Sequence, residues 1–202
     1  MSNSTKIYEF PNAMGVVVAG DIHGDFKALV YKCCVQYQMT DTLIIVAGDC
    51  GFGFQKPGYY EDLYMQLRGR LAKANNWLVF IRGNHDNPAY FDGKTVNYKR
   101  WKAVPDYSVL KACAHNILCV GGAISVDRTW RITEMYGMTV VTEKDRRLEV
   151  SYYWPDEKPV YDEAMLETIS ETCIIDTIVT HTAPSFCQEV QPSLIQNWLV
   201  KD

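Results

Sequence analysis

The segment of residues 21–25 places a carboxylate and an imidazole, those of Asp21 and His23, two positions apart at the end of an apolar run. In an extended chain, residues i and i+2 point to the same side, so both side chains could face one metal ion. Gly20 and Gly24 flank the pair and allow the backbone to turn tightly there. A single Asp-x-His triplet is weak evidence by itself, so its meaning depends on the rest of the chain.

Three further apolar runs lead to side chains that can bind metal. The run 43–47 leads to Gly-Asp at 48–49, the run 77–81 leads to Gly-Asn-His-Asp at 83–86, and the run 177–180 leads to His181. Short apolar runs bounded by glycine are typical of buried parallel strands, and ligands bind such sheets at the carboxyl ends of the strands. The sequence therefore predicts one site that collects six side chains: Asp21, His23, Asp49, Asn84, His85 and His181.

Alternating strands and helices are predicted to position these residues. Apolar residues recur at helical spacing between the first three apolar runs. The resulting βαβαβ order predicts a parallel sheet with right-handed crossovers. Helices are predicted over residues 26–38, 59–74, 88–91, 160–172 and 193–200, and strands of a second sheet are predicted near 109–110 and 117–122.

Length and composition limit the class of protein. The 202 residues are 48% apolar and 22% charged, which fits a single domain over residues 1–202 rather than a disordered or membrane protein. No apolar run approaches the roughly 20 residues that span a bilayer. The net charge of −4 argues against a nucleic-acid partner. The seven cysteines contain no Cys-x-x-Cys pair and follow no export signal, so we expect reduced thiols and a cytoplasmic protein.

Taken in order, the motifs resemble the signature of the calcineurin-like metallophosphoesterase superfamily. The resemblance covers most of the chain and implies an α/β fold class, a four-layer α/β/β/α sandwich of two mixed sheets flanked by helices. The motifs that carry it are Gly20-Asp21-Ile22-His23-Gly24, Gly48-Asp49, Gly83-Asn84-His85-Asp86 and Thr180-His181.

Two details place the chain within that superfamily. The first motif is similar to that of phosphoprotein phosphatases and dinucleoside tetraphosphatases. Their Val-Asp-Arg-Gly stretch is replaced here by Cys-Gly-Phe-Gly at 50–53, so their phosphate-binding arginine has no match. Residues 121–123, 125–128 and 154–157 instead resemble a little-characterised bacterial and phage branch.

The resemblance implies a hydrolase of phosphate mono- or diesters with a dinuclear metal centre. Asp21 and His23 would hold the first ion, Asp49 would bridge both ions, and Asn84 and His181 would hold the second. Oxygen and imidazole ligands suit Mn, Fe or Zn, and the ligand set does not select among them. Two such ions acidify a bridging water and stabilise charge on the phosphoryl oxygens. The implied substrate is a phosphate ester or a nucleotide.

His85 follows a metal ligand but, by resemblance, is not one itself. It would protonate the leaving oxygen or bind a phosphate oxygen, with Asp49 or Asp86 nearby to orient its ring. A general acid of this kind typically contributes on the order of 10²–10⁴-fold in rate. His85 and Asp49 are therefore the expected catalytic residues. The candidate phosphate contacts are Arg128, whose guanidinium matches phosphate oxygens, together with Asn84 and His85.

Three further residues have alternative roles. Arg82 is a candidate phosphate contact, but a structural ion pair is the favoured interpretation. Asp25 and Asp86 could each orient a metal ligand through a hydrogen bond, or could equally cap the helix that follows.

One departure concerns a C-terminal Gly-His-x-His motif, which in the family supplies a histidine to each metal ion. No histidine follows His181 in these 202 residues. We therefore expect the domain to be truncated at its C-terminus, and we expect this form to bind metal weakly and to be nearly inactive. The alternative function is a non-catalytic member of the fold that acts as a protein-interaction scaffold, against which the presence of His85 argues. A monomer and a dimer fit the sequence equally well.

Overall fold

The computed structural model describes residues 5–56, 58–126, 129, 139–141, 147–149 and 153–183. These residues form two large sheets with helices on their outer faces, together with a two-stranded antiparallel sheet of residues 139–141 and 147–149. The helices are α1 (Phe26–Tyr31), α2 (Tyr59–Ala74) and α3 (Glu163–Thr172), with a π-helical segment (Lys32–Gln36) and a 3₁₀ turn (Pro88–Phe91). The strands are β1 (Ile7–Phe10), β2 (Gly15–Ala19), β3 (Thr42–Ala47), β4 (Trp77–Ile81), β5 (Asn97–Tyr98), β6 (Trp101–Ala103), β7 (Ser108–Ala112), β8 (His115–Val120), β9 (Thr139–Val141), β10 (Arg147–Glu149) and β11 (Thr177–Thr180).

The first sheet has the strand order β2-β3-β4-β6-β5. Strands β2, β3, β4 and β6 run parallel, and β5 pairs antiparallel with β6. The register aligns Ala19 with Val46 and Val46 with Phe80. As a result, β2, β3 and β4 end at the same edge of the sheet, where the predicted site begins.

The second sheet has the order β1-β7-β8-β11 and is also mixed. Strand β1 runs parallel to β7, β7 antiparallel to β8, and β8 parallel to β11. The strands expected near 109–110 and 117–122 are β7 and β8. Strand β1 was not predicted, because four residues in a polar N-terminal stretch give too short a pattern to identify.

The period-2 alternation of the strands divides the core into layers. Leu43, Ile45 and Val79 of the first sheet pack against Leu110 and Ile117 of the second. The intervening residues of β3 and β4 face α1 and α2 on the opposite side. Helix α3 covers the far face of the second sheet through Ile169, Val109 and Leu118. The four-layer α/β/β/α sandwich of two mixed sheets is therefore confirmed.

Burial of the strands differs from the prediction at two edges. Strands β3 and β4 are almost completely buried, as expected. Strand β2 is an edge strand with Val18 52% exposed, and β11 is an edge strand with Ile178 63% exposed. The expectation that these two runs are fully buried is wrong, because each strand has a neighbour on one side only and the outer layers cover it incompletely.

The helix boundaries follow local capping. The helix predicted over 26–38 divides into α1 and the π-helical segment, and α2 has the bounds predicted for it. Helix α3 begins at Glu163 rather than at residue 160, because the Asp162 side chain accepts a hydrogen bond from the Met165 N–H (3.0 Å) and caps the helix there. The helix predicted near 193–200 lies outside the described residues. Among the residues described, none of the helices combines the length and the apolar character needed to cross a membrane.

Candidate metal centre

The loops that follow β2 and β3 run side by side and bring three candidate ligands together. His23 N–H donates to the Asp49 carbonyl (2.9 Å), and Gly24 N–H donates to the Cys50 carbonyl (2.8 Å). Asp21, His23 and Asp49 have positive φ angles of 50°, 43° and 46°. Side-chain-bearing residues rarely adopt this left-handed conformation, and such strain clusters at functional sites.

The same angles correct one part of the sequence argument. Strand β2 ends at Ala19, and Asp21 and His23 lie in a left-handed turn rather than in an extended segment. The expectation that they lie in an extended segment is therefore wrong, and their binding of one common ion stays a prediction. Each of the two residues belongs to a group of potential ligands that contains Asp49.

Asp49 is the centre of the arrangement. Its side chain is buried, and its two carboxylate oxygens face different imidazoles. Oδ1 lies 3.4 Å from His181 Nε2 and accepts a hydrogen bond from the His85 backbone N–H (3.0 Å). Oδ2 lies 3.7 Å from His85 Nε2 and 4.0 Å from His23 Nε2. A carboxylate with one oxygen toward each of two ligand groups has the geometry of a bridging ligand.

Two groups of potential metal ligands share Asp49. One contains His23, Asp49 and His85, and the other contains Asp21, Asp49 and His181, with one ligand atom of each residue within 4.8 Å of the others. This grouping differs from the resemblance, which placed Asp21 with His23 and left His85 out of the ligand set. The six predicted side chains nevertheless converge at the ends of β2, β3, β4 and β11.

His181 reaches the site from β11 of the second sheet. Its Nδ1 lies 2.8 Å from the Ala47 carbonyl, and its Nε2 lies 3.0 Å from Asn84 Oδ1. A hydrogen bond from Nδ1–H to the carbonyl fixes the orientation of the ring and directs Nε2 toward Asn84 and Asp49. Once Nε2 is deprotonated, its lone pair can bind a metal ion. Asn84 Oδ1 and His181 Nε2 lie next to each other, an arrangement that suits two ligands of one metal ion.

Two glycines make this close packing possible. At Gly48, which has a φ angle of +88°, an added Cβ would lie 2.2 Å from His181 Nδ1. At Gly83, an added Cβ would lie 2.1 Å from Asp49 Oδ1. The Gly-Asp and Gly-Asn-His-Asp motifs therefore need glycine because a side chain there would occupy the position of a candidate ligand.

The electrostatics of the site favour an ionised carboxylate. Burial raises the pKa of Asp49, but hydrogen bonds from His181 and His85 and their positive charge lower it below its usual value overall. Burial lowers the pKa of His181, but Asp49 and the Ala47 carbonyl raise it above its usual value overall. A metal ligand must be deprotonated, so the lowered pKa of Asp49 suits that role.

His85 lies at the open side of the site. Its side chain is 31% exposed, and its ring meets that of His23 edge to face with centroids 5.4 Å apart. The His85 side chain is therefore partly accessible to solvent beside Asp49. This position allows either of the roles expected for it, proton donor or phosphate contact.

Asp86 organises the loops of the site without capping a helix. It is completely buried and accepts hydrogen bonds from four backbone N–H groups, those of Cys50, Gly51, Phe52 and Gly83. Burial raises its pKa, and the four hydrogen bonds oppose that shift. Asp86 thus ties the loop after β3 to the loop after β4, which carry Asp49 and Asn84.

Asp25 and Arg82 have structural partners. Asp25 is the N-cap of α1 and accepts a hydrogen bond from the Ala28 N–H (3.2 Å). The Arg82 guanidinium forms an ion pair with Asp106 (2.7 Å), in agreement with the structural interpretation. Arg128, the favoured phosphate contact from the sequence, lies outside the described residues.

Ser125 and Glu157 were not predicted as site residues. Ser125 Oγ accepts a hydrogen bond from Asn84 Nδ2 (3.0 Å) and donates to the Glu157 carboxylate, and both residues are buried. The two residues lie 32 positions apart in the chain, and no local pattern connects them. Only the folded structure reveals that Ser125 contacts Asn84, a candidate ligand, and that Glu157 contacts Ser125.

The chemistry of these residues fits a divalent metal ion. Carboxylate oxygens, imidazole nitrogens and an amide oxygen converge on one buried carboxylate, and this mixture suits Mn, Fe or Zn. The fold and the site together define an α/β/β/α sandwich with a candidate metal centre at the carboxyl ends of its strands.

Comparison with known proteins then assigns the chain to a family. The family model for calcineurin-like phosphoesterases matches residues 14–201, and the chain belongs to that family. Among curated proteins it is similar to serine/threonine-protein phosphatase ppe1 of Schizosaccharomyces pombe (strain 972 / ATCC 24843), with 32% identity over 127 residues. The similarity covers 54% of this chain and 39% of the relative, so the chain spans about two fifths of that protein's length. No solved structure shows significant similarity to the chain.

Proposed function

We propose that the chain is a metal-dependent hydrolase of phosphate mono- or diesters that uses two divalent ions. The observation that carries the proposal is the placement of Asp49, whose two oxygens face different groups of candidate ligands. Membership of the calcineurin-like phosphoesterase family supports the same class of reaction. The ions would be held by Asp21, His23, Asp49, Asn84 and His181.

When bound, two divalent ions supply an acidified water and neutralise charge that develops on the phosphoryl oxygens. The remaining chemistry falls to the side chains of this protein. Asp49 stays ionised because its neighbours lower its pKa, and it holds the two halves of the site together. His85, at the open side, donates a proton to the leaving oxygen or binds a phosphate oxygen.

Hydrolysis of simple aryl phosphates tests the proposal. The protein is stripped with a chelator and assayed against a phosphate monoester and a phosphate diester, with and without added Mn²⁺. We expect turnover only with the metal ion, and we expect Asp49→Asn to abolish it. Asp92→Asn is the matched control, because Asp92 lies in an exposed turn where it accepts hydrogen bonds from Lys94 and Thr95. Turnover that survives both chelation and Asp49→Asn would contradict the proposal.

The type of ester, the identity of the metal ion and the substrate are also part of this proposal. The monoester and diester arms decide between phosphatase and phosphodiesterase, and Mn, Fe and Zn are compared in parallel. A phosphoserine peptide and a nucleotide extend the panel, the former because the curated relative is named a serine/threonine-protein phosphatase. Metal binding without turnover of any ester would favour the scaffold alternative. The cytoplasmic location stays a prediction.

The missing Gly-His-x-His motif gives a separate prediction. The sequence contains four histidines, and three of them, His23, His85 and His181, lie at the site. We propose that residues 1–202 form one metallophosphoesterase domain and that this form binds its metal ions weakly. Tight binding of both ions together with rapid turnover by the 202-residue form would contradict this expectation.

A further inference from the structure

We propose that Ser125 and Glu157 are positioning residues that orient the Asn84 side chain, so that its oxygen rather than its nitrogen faces the metal site. The inference rests on the proposed function, because it assigns Asn84 as a metal ligand. A carboxamide has an oxygen that can bind a cation and an NH₂ group that cannot, and rotating it by half a turn exchanges the two. Something must therefore specify which end points toward His181.

Hydrogen bonds connect Asn84 to a buried carboxylate. Asn84 Nδ2 donates to Ser125 Oγ (3.0 Å), and Ser125 Oγ donates in turn to Glu157 Oε2. The Ser125 backbone N–H donates to the other oxygen of the same carboxylate, Oε1 (2.9 Å). Glu157 is 0% exposed and Ser125 is 4% exposed, so water does not compete for these groups.

The direction of each hydrogen bond follows from its neighbour. Both carboxylate oxygens of Glu157 accept hydrogen bonds from Ser125, one from its backbone N–H and the other from its hydroxyl. Because the Ser125 hydroxyl donates its hydrogen to Glu157, Ser125 Oγ can only accept a hydrogen bond from Asn84. Only the NH₂ group of Asn84 can donate that hydrogen bond. Asn84 Oδ1 is consequently turned toward His181 Nε2, at 3.0 Å. A buried carboxylate thus determines the orientation of a candidate ligand two hydrogen bonds away.

The backbone around Glu157 is held in place independently of Asn84. The Arg82 guanidinium donates to the carbonyls of Asp156 (3.2 Å), Glu157 (2.8 Å) and Lys158 (3.0 Å). Arg82 is itself paired with Asp106, whose other oxygen accepts from the Gly121 N–H (2.9 Å). Arg82 lies two residues before Asn84 in the chain, so the anchor of the Glu157 backbone and the oriented ligand belong to the same segment.

Metal affinity measured by calorimetric titration with Mn²⁺ tests the inference. Asn84→Ala first identifies which binding step depends on Asn84. Glu157→Gln keeps the size of the side chain but supplies an NH₂ group that can donate to Ser125, so the direction of the hydrogen bonds is lost. We expect this variant to weaken the Asn84-dependent step by about 10–100-fold, the usual effect of removing a group that orients a metal ligand. Ser125→Ala, which removes the acceptor for Asn84, should weaken the same step.

A double-mutant cycle separates positioning from general destabilisation. In the Asn84→Ala background, Glu157→Gln should cause no further loss of affinity, because there is no carboxamide left to orient. Tyr107→Phe is the matched control: Tyr107 also anchors this part of the chain, through Val160 and Asp162, but has no hydrogen bond to Asn84. It should leave both binding steps unchanged.

The outcomes distinguish this inference from the proposed function. If the wild-type protein binds no metal ion, both are overturned. If the wild type binds and Glu157→Gln and Ser125→Ala bind with unchanged affinity, the positioning role alone is overturned. Equal losses from Glu157→Gln with and without Asn84 would also overturn it, since they would show an effect on folding rather than on orientation.

Discussion

Asp49 is the residue on which the site depends, because each of its oxygens faces a different group of candidate ligands. The sequence was sufficient to predict that Asp21, His23, Asp49, Asn84, His85 and His181 meet, since each follows an apolar run. It could not predict how they are grouped, because the left-handed turn at Asp21 and His23 is a property of the folded loop. Nor could it predict the hydrogen bonds from Asn84 to Ser125 and from Ser125 to Glu157, which join three distant segments.

His85 can be tested as a proton donor by His85→Asn. Because His85 lies at the open side and, by resemblance, is not a ligand, we expect turnover to fall by about 10²–10⁴-fold while two metal ions remain bound. Steady-state hydrolysis and metal analysis of the same samples provide the measurement. His115→Asn, at an exposed histidine at the start of β8, is the control. Loss of a metal ion from the His85 variant would instead make His85 a ligand within the group of His23 and Asp49.

Asp86 is expected to stabilise the folded protein. Asp86→Asn would place an NH₂ group among four converging N–H donors. Hydrogen bonds to a charged group each contribute about 1.5–3 kcal/mol, so we expect the free energy of unfolding to decrease by at least this amount. Urea denaturation measures the change. Asp25→Asn is the matched control, because asparagine caps a helix about as well as aspartate; equal stabilities of the two variants would be inconsistent with this role.

At the scale of elements, the site is the meeting point of the carboxyl ends of β2, β3 and β4 with that of β11. The bounds of strands β3 and β4 and of helix α2 could be predicted almost to the residue. Apolar residues form continuous runs in the two strands and recur at helical spacing in α2, and both patterns are easily recognised. Strands β2 and β11 gave similar runs but lie at edges, and periodicity along one strand carries no information about how many neighbours it has. Their edge positions depend on the order of the whole sheet.

Gly48 tests the contact between the two sheets at the site. An alanine Cβ would lie 2.2 Å from His181 Nδ1, so Gly48→Ala should displace His181 and remove one metal-binding step. Calorimetric titration with Mn²⁺ gives the measurement. The control is Gly69→Ala within α2, where an added Cβ meets no atom within 4 Å. That variant should bind metal normally and be more stable by about 0.5–1 kcal/mol, as expected for Gly→Ala inside a helix. Unimpaired metal binding by Gly48→Ala would contradict the role given to His181.

At the scale of the whole molecule, two sheets pack face to face, and loops from both contribute residues to the candidate metal site. The four-layer architecture was predicted through resemblance to a family, whereas the residues alone indicated only a parallel sheet followed by a second sheet. Under the proposed function, we expect the surrounding loops rather than the ligands to decide which phosphate ester reaches His85.

Metal stoichiometry tests the central claim most directly. The wild-type protein and Asp49→Asn are titrated with Mn²⁺ by calorimetry at concentrations high enough to detect weak sites. We predict two ions per chain for the wild type and the loss of both in Asp49→Asn, because Asp49 is common to both ligand groups. Binding of one ion or none by the wild type, or two ions still bound by Asp49→Asn, would contradict a centre bridged by Asp49.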